Sequence, residues 1–129
     1  QESRGLGDVY KRQNVNKDMV TSNIIPLIKT IRKNPVAKKT PIIFIEQCII
    51  DIGSIHNEFI NSVIEKNDEL NKQFDKAINK GEKDLFMIKQ IGGIDEDSEA
   101  TVDGIHFNDL GFQRYADHFL KNIKELDIL

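Results

Sequence analysis

The sequence predicts an α/β layered domain built on a parallel sheet. Two short, unbroken apolar runs, Pro41-Ile42-Ile43-Phe44-Ile45 and Leu85-Phe86-Met87-Ile88, have the length and β-branched or aromatic character of strands buried on both faces. Around and between them lie stretches whose apolar residues recur at spacings of three and four, the signature of amphipathic helices. The order helix, strand, helix, strand, helix joins consecutive strands through a helix, which makes them run parallel.

Each element has its own signals. In the first helix Met19, Val20, Ile24, Leu27, Ile28 and Ile31 form one face, and Asn34-Pro35 stops it. Pro26 lies inside that pattern and predicts either a kink or a start nearer Ser22. After the first strand, residues 46 to 53 form a loop. Ser54 then caps a long helix that keeps the 3.6 period through Phe59, Ile60, Val63, Ile64, Leu70, Phe74, Ala77 and Ile78 and ends at Gly81. Residues 89 to 107 form a long loop after the second strand. Asn108 caps a last helix expected to bury Phe112, Tyr115, Ala116, Phe119, Leu120 and Ile123.

Composition narrows the function classes. At 129 residues the chain is one domain or a piece of one, and 39% hydrophobic with 30% charged residues excludes disorder, collagen and a transmembrane chain. A net charge of −3 without a block of like charges offers no footprint for nucleic acid or an anionic membrane. No run of ~18 apolar residues marks a membrane span. Cys48 is the single cysteine, so no internal disulfide forms, and three scattered histidines do not complete a zinc set.

The first 13 residues have neither apolar period. Asp8-Val9-Tyr10-Lys11-Arg12-Gln13 looks like the translation of a transposon-end sequencing adapter, so residues 1 to 13 are read as an artefact and the natural chain is expected to start at about Asn14. Ile, Lys and Asn supply 45 of the 129 residues, the bias of an AT-rich bacterial genome. Two strands alone leave apolar faces and edges open, so the chain is expected to be a piece that lacks the central strands of its domain. The adapter-like segment should make few packed contacts, unless it borrows the vacant strand position beside Ile42 to Ile45.

In such a domain the reactive groups lie on loops at the carboxyl ends of the strands. Asp103 and His106 stand three apart across Gly104 at a loop-to-helix junction, a spacing that lets the carboxylate accept the imidazole Nδ1 proton and frees the other ring nitrogen to act as a base. Gly111, in the first turn of the last helix, allows a neighbouring backbone to approach closely. Taken alone, an Asp-x-x-His is more often a cap or a surface hydrogen bond. Cys48 in its Ile-rich setting reads as a buried, inert thiol, Glu46 as a lining residue, and His56 and His118 as solvated. Ser22, Ser54, Ser62 and Ser98 read as caps or surface residues.

The longer string Glu99-Ala100-Thr101-Val102-Asp103-Gly104-Ile105-His106-Phe107-Asn108-Asp109-Leu110-Gly111-Phe112 closely resembles the last sequence block of the SGNH, or GDSL-like, hydrolases. Phe107 stands where the most similar bacterial branch usually has proline, which alters how the chain enters the helix and supplies no chemistry. Upstream, Asn14 through Arg32 and Pro41 to Glu46 are similar at lower specificity to the family's preceding helix and strand. The resemblance implies a flavodoxin-like three-layer α/β/α fold, of which residues 14 to 129 are an amino-terminally truncated part with two natural strands. It also implies a serine esterase or acylhydrolase that needs no cofactor and acts on small-molecule or carbohydrate esters. In that scheme His106 is the base, Asp103 its orienting partner and Asn14 an oxyanion donor, although Asn14 also reads as a helix cap. The nucleophilic serine belongs to an upstream Gly-Asp-Ser motif, which Gly5-Leu6-Gly7-Asp8-Val9 only mimics, with Val9 in place of the serine. Members of that branch are often exported. Two other readings stay open: Asp103 and His106 as ligands of a divalent metal, and a non-catalytic α/β binding module.

Overall fold

The structure is a computed structural model that describes residues 15–49, 57–94, 97–104 and 106–128. The adapter-like segment, Asn14, Ser54 and His56 lie outside the described residues. Helix α1 spans Lys17–Lys33, strand β1 Ile42–Ile45, helix α2 Asn57–Asn79, strand β2 Leu85–Ile88 and helix α3 Asp109–Glu125, with a 3₁₀ turn at Pro35–Ala37. The two strands pair in parallel, Ile42 opposite Leu85 and Ile45 opposite Ile88.

Local chemistry sets the ends of these elements. The Asn16 side chain accepts a hydrogen bond from the Met19 amide at 3.0 Å and so caps α1, which therefore starts well before Ser22 and continues through Pro26. At the other end of α2, Gly81 adopts φ +92°, and the Gly81 and Glu82 amides donate back to Ile78 and Ala77. That pattern is a left-handed cap that only glycine adopts without strain.

The core is smaller than the apolar pattern suggests. Ile28 of α1, Leu70 and Ala77 of α2, and Phe44 and Leu85 of the strands form its buried centre, with Val20, Ile24, Ile42, Phe74 and Met87 against it. Of β1 only Phe44 is buried, while Ile42, Ile43 and Ile45 are half-buried, which corrects the expectation of burial on both faces. The cause is that, among the described residues, each strand has a neighbour on one side only. Helix α3 departs further: Phe112, Ala116 and Leu120 are exposed and Ile123 is its buried apolar residue. Ile64 and Ile78 of α2 are likewise exposed.

Arg32 fastens the amino-terminal edge of the sheet. One guanidinium nitrogen donates to the Ala37 and Thr40 carbonyls, both at 2.7 Å, and another to those of Lys83 and Asp84 at 2.9 and 3.2 Å. The chemistry-bearing residues lie at the opposite, carboxyl edge.

Candidate active site

The carboxyl edge is organised by polar side chains. Glu46, immediately after β1, donates its amide to the Ile88 carbonyl, and its buried carboxylate accepts from Asn71 at 2.6 Å and from the Gln90 amide at 3.1 Å. Lys89 approaches the same carboxylate at 3.1 Å and also donates to Asn71. Burial pushes the Glu46 carboxyl up, but the Asn71, Gln90 and Lys89 contacts outweigh it and hold the group below its ordinary range. Asn67 pairs with both backbone groups of Gln47, at 2.9 and 2.8 Å, doing for that residue what a neighbouring strand would do. Asn67 therefore belongs on the buried face of α2, between Val63 and Leu70. Glu46 is held inside this network, whereas Asn67, Asn71, Lys89 and Gln90 went unrecognised in the sequence; a polar residue inside the apolar stripe of α2 was the available signal.

Cys48 is buried, as its setting suggests, and its thiol donates to the Gln90 side-chain oxygen at 3.0 Å. It packs with Ile94 and Ala100, and Phe107 and Tyr115 close over them. This small cluster seats the loop that carries Asp103 and His106 against the end of β1.

Within that loop the chain doubles back on itself. Thr101 and Phe107 form an antiparallel bridge, in which the Val102 amide donates to the His106 carbonyl at 2.9 Å and the Asn108 amide to the Ala100 carbonyl at 3.1 Å. Neither bond uses the Phe107 amide, so hydrogen bonding would permit proline there. Phenylalanine instead sets its ring edge-to-face against Phe112 and at a tilt against Tyr115, with centroids 5.7 and 5.6 Å away. Gly104 turns the tip with φ +81°, and its amide donates to the Thr101 hydroxyl at 3.1 Å.

Asp103 and His106 meet at this tip. One carboxylate oxygen of Asp103 accepts from the His106 backbone amide at 2.8 Å, and the other lies 2.6 Å from the imidazole Nδ1. The side chains are half-exposed, at 49% and 58%. With Nδ1–H donated to the carboxylate, the Nε2 lone pair is the one able to take up a proton. Among the described residues no group of three or more His, Cys, Asp or Glu side chains is arranged to hold a metal ion.

The base of the loop is tied to α3. The Asn108 side chain accepts from the Gly111 amide at 3.0 Å and donates to the Glu99 carbonyl at 2.6 Å. A Cβ on Gly111 would stand 2.1 Å from the Ala100 carbonyl oxygen. Replacing Gly111 with alanine gains helix propensity but drives α3 and the loop apart, an overpacking cost of ~1–3 kcal/mol. Gly111→Ala should lower the urea midpoint of the full-length protein accordingly, and an unchanged midpoint would show that the contact yields. His118 is not simply solvated: its Nε2 lies 2.6 Å from the Lys89 carbonyl and joins α3 to the end of β2.

Arg114 completes the tether. Its guanidinium donates to both Asp97 carboxylate oxygens at 2.8 Å and to the Ile94 carbonyl at 3.0 Å. The Arg114 hydrogen bonds, helped by the Glu99 amide, lower the Asp97 carboxyl from 3.8 to about 2. A carboxylate depressed in the folded state stabilises above its unfolded value and loses that contribution as pH falls through its folded one. The ion pair is therefore complete above about pH 3.8 and is lost as pH falls through about 2. The Glu99 amide resonance, whose N–H donates to Asp97, should titrate near pH 2 and stop doing so in Asp97→Asn. A midpoint near 3.8 would mean that the ion pair does not form in solution.

Comparison with known proteins bears on the family and the fold. Residues 11–124 match the model of the GDSL-like lipase/acylhydrolase family. A crystal structure from Bacteroides ovatus that bears the name GDSL-like lipase superposes with a TM-score of 0.80 at 29% identity, over 88% of this chain and 33% of that one. The chain thus spans about a third of that protein's length. No curated protein matches. Among the described residues no helix is long and apolar enough to cross a membrane.

Proposed function

Because this chain belongs to the GDSL-like lipase/acylhydrolase family, we propose that it is part of a serine esterase of the SGNH type in which His106 is the general base and Asp103 orients it. The observation that supports this reading is the 2.6 Å contact between Asp103 and His106 Nδ1 at the tip of a loop tied to the carboxyl edge of the sheet. A serine outside this chain attacks the ester carbonyl. His106 Nε2 takes the serine proton and returns it to the departing alcohol, and Asp103 stabilises the imidazolium formed between the two transfers. Water repeats the sequence to release the acid. Asn14 is assigned an oxyanion-donor role, which rests on its position in the family resemblance. In this reading residues 14 to 129 are the carboxyl-terminal part of one hydrolase domain, residues 1 to 13 are foreign to it, and the substrate is a small-molecule or carbohydrate ester.

The test is hydrolysis of short-chain aryl esters and acetylated sugars by the full-length protein, together with labelling by a serine-directed fluorophosphonate. Turnover with stoichiometric labelling of one serine supports the assignment. A folded full-length protein that neither turns over nor labels would leave the α/β binding module as the better reading.

A further inference from the structure

We infer that Arg114 is a positioning residue for the Asp103–His106 pair, acting through Asp97 and the base of the loop that carries both. This inference rests on the catalytic reading of that pair. The guanidinium grips Asp97 with two parallel bonds of 2.8 Å and the Ile94 carbonyl with a third, the fork geometry at which arginine surpasses lysine. From Asp97 the connection runs to the Glu99 amide at 3.1 Å, and the Glu99 carbonyl accepts from the Asn108 side chain at 2.6 Å. Asn108 caps the helix on which Arg114 stands. The circuit closes on itself and encloses the segment that doubles back at the Thr101–Phe107 bridge.

Backbone conformation supports the same assignment. Ser98, directly after Asp97, has φ +63°, a left-handed conformation that is uncommon for a residue with a side chain. The Arg114–Asp97 bonds on one side and the Asn108–Glu99 bond on the other flank it and hold the chain on both sides of the turn. Removing the guanidinium lets Ser98 relax toward negative φ, which turns the following residues relative to α3. Asp103 and His106 lie beyond that pivot, and a proton relay is sensitive to displacements of about 1 Å.

The experiment compares Arg114→Ala, Arg114→Lys and the wild-type full-length protein in ester hydrolysis, and follows the low-field Nδ1–H proton of His106 by NMR. Arg114→Ala should lower kcat about tenfold with KM changed less than twofold, and should broaden or abolish the Nδ1–H signal while the rest of the spectrum stays folded. Arg114→Lys, able to reach only one carboxylate oxygen, should recover part of both. Asp97→Asn removes the ion pair at constant size and should reproduce the alanine result, which keeps the test decisive if Arg114→Ala does not fold. An unchanged Nδ1–H signal with unchanged kcat in the folded variants overturns the inference. If the wild-type protein hydrolyses no ester, the proposed function fails, and the Nδ1–H signal alone still decides whether Arg114 orients the pair.

Discussion

Replacing His106 with alanine in the full-length protein should lower kcat for ester hydrolysis about 10²–10⁴-fold and leave KM nearly unchanged, the loss that follows removal of a general base used only in the transition state. The side chain is half-exposed, and its described bond is the one to Asp103, so truncation opens no core cavity and the variant should melt close to wild type. Asp103→Asn should cost less. Asparagine retains one oxygen that can accept from either the His106 ring or its backbone amide, so part of the orientation survives, while the charge that steadies the imidazolium is lost. Steady-state kinetics on both variants, with melting temperatures alongside, separates the two effects. A full-length enzyme indifferent to His106→Ala would show that the loop is kept for packing, and the binding module would then be the reading to pursue.

Why this pair was legible in the sequence, while its supports were not, follows from the range of the interactions. Asp103, Gly104 and His106 form a local motif: the turn at Gly104 and the bonds across three residues need no distant partner. The caps at Asn108 and Gly81 are local in the same way, and the close approach at Gly111 spans only the eleven residues back to Ala100. Arg114 with Asp97, and Glu46 with Asn71 and Lys89, join positions 17 to 43 residues apart, and no periodicity marks which charged residue on a helix will face which loop. Among the described residues the helix and strand periods found the three helices, the two strands and their parallel pairing, and missed the 3₁₀ turn at Pro35–Ala37. They failed on the degree of burial, because an apolar residue on the correct face is buried only if something covers that face. Phe112, Ala116 and Leu120 follow the helical period and remain exposed.

Uncovered apolar side chains on α1, α3 and β1 set the expectation for the 129-residue chain made by itself. Phe112 is 63% exposed, Leu120 50% and Leu27 48%, and three of the four residues of β1 are only half-buried. Each large apolar side chain left in water forgoes much of the ~1.5–3 kcal/mol that full burial provides. A domain holds together with a net ~5–15 kcal/mol, so a few such losses decide the outcome. The parallel strands add to the problem: among the described residues β1 and β2 each have a strand neighbour on one side only, and an edge left open accepts any extended chain that meets it. The isolated chain should therefore be aggregated or molten: it should bind a hydrophobic dye, give helical far-ultraviolet dichroism without a cooperative thermal transition, and hydrolyse no ester. Supplying the upstream coding sequence should restore a cooperative transition and dye exclusion as those faces are covered, and activity should return with them. Cooperative unfolding together with ester hydrolysis by the isolated chain would overturn the proposal that residues 14 to 129 are one part of a larger hydrolase domain.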